Sequence, residues 1–160
     1  MGHTVQFLAP EPISLVNNEP CAGDTALAGA LRFKHITVGD CTIVNTQWSR
    51  FAVWQIELVL CATATTGGTN PRIYVYKRYT DFVRFRARLL DALPASLRAN
   101  VPDLPPKVSW LESWQYDNVN LNNKWLARRR AGLDLFLNQV LLNDTLLSKA
   151  IGCVREFLEK

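Results

Sequence analysis

Apolar positions along the chain change period once. From Leu31 to Leu60 they follow the two-residue repeat of strands. One run is Phe33 to Val38 and another is Cys41 to Val44. In the run Phe51 to Val59, Phe51, Val53 and Gln55 share one face, and Trp54, Ile56 and Leu58 share the other. Thr65 to Pro71 is a loop by composition, and Arg72 to Lys77 supplies a further strand. Together these predict a three-stranded antiparallel meander.

After Lys77 the repeat becomes helical: Phe82, Phe85, Leu89 and Leu93, with Thr80 or Asp81 placed to cap the start and Pro94 to end it. Val101 to Lys107 contains Pro102, Pro105 and Pro106 and reads as a polyproline-type turn. Residues 108–120 read as a loop. A long helix follows from about 122 to 142, Asn143-Asp144 punctuates it, and a last helix covers about 146–159. Strands first and helices after indicate an α+β domain. Residues 1–30 have prolines, small residues and no sustained period, so they are expected to be a disordered arm before a domain at 31–160.

Composition is that of an ordinary globular chain: 48% apolar and 20% charged, with a net charge of +4. That charge alone does not imply nucleic acid, and no nucleic-acid motif accompanies it. The four cysteines form no C-x-x-C pair and stand at no metal-ligand spacing from histidine, so free thiols are expected and no metal site. No signal peptide is visible. The longest apolar stretch, Phe51 to Ala64, is broken by Gln55 and Glu57 and is too short to span a bilayer, so membrane contact is expected to be peripheral.

No catalytic motif is present. His3 and His35 are the only histidines, the carboxylates are scattered, and no nucleotide or cofactor fingerprint appears. The chain is therefore read as a non-enzyme without a cofactor.

The arginines carry more. Arg84, Arg86 and Arg88 suit a solvated helix face. Arg129 does not: it falls on the stripe of Leu126, Leu133 and Val140, and a charge facing inward needs an anionic partner, for which a bound anionic ligand is a natural candidate. Asp134 suits Arg130 instead, four residues apart. Gly132 weakens the helix, which suggests close packing on another element. Arg78-Tyr79-Thr80 sits where a strand meets a helix. There a guanidinium fork, a hydroxyl and free helix N–H groups can meet a phosphate, and Tyr79 offers a flat face to a ring or to the core.

The blocks Tyr76 to Leu90 (YKRYTDFVRFRARLL), Pro102 to Lys107 (PDLPPK) and Trp125 to Leu137 (WLARRRAGLDLFL) together resemble a PX (phox homology) domain, in the family's order and approximate spacing. The resemblance covers roughly residues 31–160. One departure is Val101, where the family's proline block usually begins with a second proline. The resemblance implies a PX fold: a three-stranded antiparallel meander packed on a helical subdomain with a proline-rich loop. It also implies binding of phosphatidylinositol 3-phosphate. Arg78 would then grip the 3-phosphate with Thr80, Tyr79 would stack on the inositol ring, Lys107 would meet the 1-phosphate, and Arg129 would take the ring hydroxyls. Val108, Trp110, Leu111 and Trp114 would lie in the loop that dips into the bilayer.

The tract Lys107 to Trp114 and the segment Phe51 to Ile56 are further similar to fungal endosomal and vacuolar adapters of this family. Such adapters recruit a bridge-like lipid-transfer protein of the vacuolar-sorting class through an N-terminal P-x-P motif. Leu8, Pro10, Pro12 and Ile13 fit that motif; so does a plain proline-containing linker. The resemblance thus implies a cytoplasmic adapter, peripheral on endosome and vacuole membranes. The alternatives are a sorting-nexin-like protein in cargo sorting, or an interaction module with a vestigial lipid pocket.

Overall fold

The computed structural model describes residues 2–6, 31–63, 66–107 and 119–159. Four strands precede the helices: β1 (Gly2–Gln6), β2 (Phe33–Asn45), β3 (Arg50–Leu60) and β4 (Arg72–Arg78). They make one antiparallel sheet in the order β1-β2-β3-β4. The last three are the expected meander. β1 adds to it from within the segment read as an arm, pairing Gly2 with Asn45 and Gln6 with Cys41. An open strand edge offers unpaired backbone groups to any short extended segment, whatever its side-chain pattern.

β2 is one strand where the pattern suggests two runs. The interruption is a register shift between Val38 and Cys41. Such a bulge inserts an extra residue and locally breaks the ladder. Beside it, the Val38 N–H donates to the Asp134 carboxylate at 2.7 Å, and Asn138 donates to the Ile36 carbonyl at 3.2 Å. These bonds tie the irregular strand to the long helix.

The helices are α1 (Tyr79–Ala92), α2 (Ala95–Arg98), α3 (Val119–Leu141), α4 (Asp144–Lys149) and α5 (Ile151–Glu159). The cap of α1 differs from the expectation of Thr80 or Asp81. Arg78 is the N-cap residue, and the Asp81 carboxylate accepts its N–H at 2.8 Å. The expected last helix is two, parted at Ala150, and the Asn143 side chain accepts the Leu146 N–H at 3.1 Å to start the first. The loop between β3 and β4 turns through Gly67 and Gly68, both at positive φ.

The inner face of the sheet, with Phe33, Ile36, Trp54, Ile56 and Leu58, packs against Phe82, Phe85 and Leu89 of α1 and Leu133, Phe136 and Leu137 of α3. Phe157 of α5 stacks on Phe85, with centroids 4.3 Å apart. Fully burying each large apolar side chain contributes about 1.5–3 kcal/mol, and this layer is what holds the site's elements at fixed distances.

Cys41 and Cys153 are free thiols, and burial pushes Cys41 up to about 11. Cys61 is in a disulfide whose partner lies outside the described residues, a correction to the reading of free thiols throughout. Sequence spacing misses such a pair because its geometry depends on proximity in the fold.

Candidate functional site

Strand alternation divides the two basic residues at the end of β4. Lys77 points inward: it is 4% exposed, with its Nζ 5.2 Å from the Phe157 ring centroid. Burial lowers its pKa from the ordinary lysine value, against an opposing pull from Asp81. Arg78 is exposed on the opposite face, its guanidinium 4.7 Å over the ring of Phe51. Thr80, also exposed, is the second residue of α1.

Between them in sequence, Tyr79 reaches toward the proline segment. Its hydroxyl donates to the Pro105 carbonyl at 2.5 Å, and Arg129 donates to the next carbonyl, that of Pro106, at 2.5 Å. The Arg129 guanidinium is sandwiched, 4.0 Å from the Tyr79 ring centroid and 4.2 Å from that of Trp125. Arg129 is 7% exposed, which agrees with its place on the apolar stripe of α3. Its charge is met by a carbonyl dipole and two π faces, a partnership that does not require a carboxylate.

The proline segment is held at further points. Arg86 donates to the Pro102 carbonyl at 2.9 Å and to the Asp103 carboxylate at 2.7 Å. Val101, the departure from the family pattern, is buried in the core. A Cβ at Gly132 would lie 2.9 Å from Pro105 Cβ, so the absence of a side chain lets α3 and the segment touch. Lys107 follows Pro106 directly and is exposed, so the carbonyl anchors determine where its side chain begins.

Arg84, Arg86 and Arg88 are spoken for within the domain. Arg84 lies 3.5 Å from Asp81, Arg86 pairs with Asp103, and Arg88 pairs with Glu156. Arg130 is buried, 3.7 Å from Asp40. Among the described residues, no carboxylate pairs with the side chain of Arg78 or Lys107. One end of the fold therefore combines a guanidinium with no carboxylate partner among the described residues, a helix N-terminus, an aromatic ring backed by a second guanidinium, and an exposed ammonium group. Such a set suits a multiply phosphorylated or hydroxylated anion.

The structure thus puts Tyr79 and Arg129 in direct contact, with Lys107 next to their carbonyl partners and Arg78 and Thr80 on either side of Tyr79. Val108, Trp110, Leu111, Trp114, Leu8, Pro10, Pro12 and Ile13 lie outside the described residues. Three contributors escaped the sequence reading. Trp125 was legible, since it stands four residues before Arg129 on one helix face. Phe51 beneath Arg78 and Arg86 on the proline segment depend on tertiary placement. No helix among the described residues is long and apolar enough to cross a membrane.

The chain is similar to several known proteins. An adapter from Candida glabrata, "Endosomal/vacuolar adapter protein YPT35", is 41% identical over 99% of this chain and 98% of its own length. A protein of that name from Saccharomyces cerevisiae is 42% identical over 79% of this chain and 64% of its own length. The sorting nexin MVP1 of Candida albicans is 34% identical over 59% of this chain and 11% of its own length. The X-ray structure of a designed CISK-PX domain superposes with a TM-score of 0.56, at 24% identity, over 78% of this chain and 98% of that one. A family model described as "PX domain" matches residues 65–160, and with the full-length similarity above it shows that this chain belongs to the PX-domain family.

Proposed function

We propose that the chain is a non-catalytic adapter that reads phosphatidylinositol 3-phosphate on endosomal and vacuolar membranes. In this reading Arg78 and Thr80 hold the 3-phosphate, Tyr79 backs the inositol ring, Arg129 takes ring hydroxyls and Lys107 meets the 1-phosphate. The observation that carries it is selective: of the arginines from Arg78 to Arg88, the other three are committed to Asp81, Asp103 and Glu156, and Arg78 is the one without a carboxylate among the described residues. The compartment is drawn from relatives named as endosomal/vacuolar adapters.

The adapter half of the reading assigns Leu8, Pro10, Pro12 and Ile13 to a lipid-transfer protein of the vacuolar-sorting class. Its support is the P-x-P pattern alone, and a peptide of residues 5–16, with and without Pro10→Ala and Pro12→Ala, tests it by direct binding. Val108, Trp110, Leu111 and Trp114 are assigned to bilayer insertion. A sorting-nexin-like role is the second reading, favoured by the Candida albicans match.

Vesicle sedimentation against each phosphoinositide tests the lipid half. Preference for 3-phosphorylated lipid, with a loss of about 10–100-fold on Arg78→Ala, is expected from one charge-assisted phosphate contact. Binding indifferent to the lipid or to Arg78→Ala overturns it.

A further inference from the structure

Lys77 carries a charge that nothing on the inner side of β4 answers. Among the described residues its buried ammonium group has no hydrogen-bond or ion-pair partner, and its neighbour is the Phe157 ring. A buried ammonium of this kind is costly, and a partner of opposite charge removes the cost. The side chain faces a cavity of about 90 Å³ between the end of β4, α1 and α5. Phe85 and Phe157, both buried, form its apolar side, and the more exposed Arg84 and Arg88 form its rim.

The two carboxylates of the cavity are engaged elsewhere. Asp81 accepts the Arg78 N–H at 2.8 Å and lies 3.5 Å from Arg84. Glu156 is paired with Arg88. The Cys153 thiol donates to the Arg88 carbonyl at 3.6 Å. Three cations face the cavity against two carboxylates, so it is short of one negative charge. Burial lowers the Lys77 pKa in spite of Asp81, the sign expected of an ammonium without a close counter-ion. A guest with one negative charge restores the balance, and a guest with two exceeds it.

Size and lining narrow the guest further. The cavity is far below the ~300 Å³ of a drug-sized site. At about 15 Å³ for each water-sized atom it admits roughly six heavy atoms. Phe85 and Phe157 stack with centroids 4.3 Å apart and present a continuous apolar surface to a short hydrocarbon stem. We infer that this cavity is a binding site for a small monocarboxylate, with the carboxylate on Lys77 Nζ and the stem against Phe85 and Phe157. Arg84 and Arg88, already paired, add attraction at the rim. The site lies on the face of β4 opposite Arg78 and does not depend on the lipid-reading function proposed above.

The test is urea unfolding of the full chain at neutral pH in sodium propionate, sodium phosphate or sodium chloride of matched ionic strength. A Kd of about 1 mM is expected for so small a ligand, so about 20 mM propionate should raise the folded-to-unfolded ratio about twentyfold over chloride. The gain should persist in Arg78→Ala and vanish in Lys77→Met. Saturable amide shifts at Cys153, Glu156 and Phe157 of the wild-type chain locate the guest without any variant, and they decide the matter if Lys77→Met fails to fold. Equal stability in propionate and chloride overturns the inference, and so does the absence of those shifts. A gain that survives in Lys77→Met overturns it as well. A gain lost in Arg78→Ala moves the guest to the head-group site and has the same force. Stronger stabilisation by phosphate than by propionate overturns the assignment to a monocarboxylate.

Discussion

The Arg129 guanidinium lies 4.0 Å over the ring of Tyr79, and the two residues hold consecutive carbonyls, those of Pro106 and Pro105. Each side chain therefore fixes the other as well as the proline segment. Residues sharing contacts couple by about 0.5–3 kcal/mol. Head-group titration of Tyr79→Ala, Arg129→Ala and the double variant is expected to show losses that do not add. Tyr79→Phe keeps the ring and drops the hydroxyl bond, so it should cost about 1 kcal/mol of stability and less affinity than Tyr79→Ala. Strict additivity would separate the two residues into independent contacts.

Gly132→Ala sets helix propensity against space. Alanine favours the helix by about 1 kcal/mol, yet its methyl would meet Pro105 Cβ and Cγ at 2.9 Å. Overpacking of this kind costs about 1–3 kcal/mol, and the neighbour is a constrained ring. Net destabilisation of about 1 kcal/mol is expected in urea unfolding, with weaker head-group binding as the segment is pushed away. A variant more stable than the parent, with unchanged binding, would show the contact to be slack.

A third prediction contrasts two arginines of the same short stretch. Arg88 is paired with Glu156, whereas Arg78 is paired with no carboxylate among the described residues. Arg88→Ala should cost at most about 1 kcal/mol of stability, since its partner pair is partly exposed. It should leave the preference for 3-phosphorylated vesicles intact. If both arginine variants weaken vesicle binding equally, total charge and not the site governs docking.

Lys77 gives a pH signature. Burial lowers its folded pKa below the ordinary value of 10.5. Between the folded pKa and 10.5 the unfolded chain then holds more protons, so this residue's contribution to stability rises with pH across that window. Below it the full penalty of a buried charge applies. Lys77→Met should raise stability at neutral pH, and its advantage should shrink toward about pH 10. Urea unfolding at both pH values checks this; an advantage independent of pH would locate the effect in packing alone.

Most of the frame of the site was legible along the chain. Alternation in β3 put Trp54, Ile56 and Leu58 on one shared face, and all three are fully buried. Helical period put Arg129 on the inner stripe, and Gly132 pointed to a close neighbour, which is Pro105. What escaped was long-range. Arg86 and Arg88 suited a solvated face because Asp103 and Glu156 are distant in sequence and near only in the fold. Arg130 was matched to Asp134 by local spacing, but it lies 3.7 Å from Asp40, and Asp134 accepts the Val38 N–H beside the bulge. β1 has too few residues for any period to register, and its partner edge is set by the sheet.

β1 also gives the molecule a direction. Gly2 pairs with Asn45 beside the turn into β3, at the end of the sheet where Arg78 covers Phe51, and the strand then runs away from that turn until Gln6 meets Cys41. A fluorescent protein fused ahead of Gly2 would sit against the surface assigned to lipid and obstruct it. At Gln6 the strand itself is heading away from that surface.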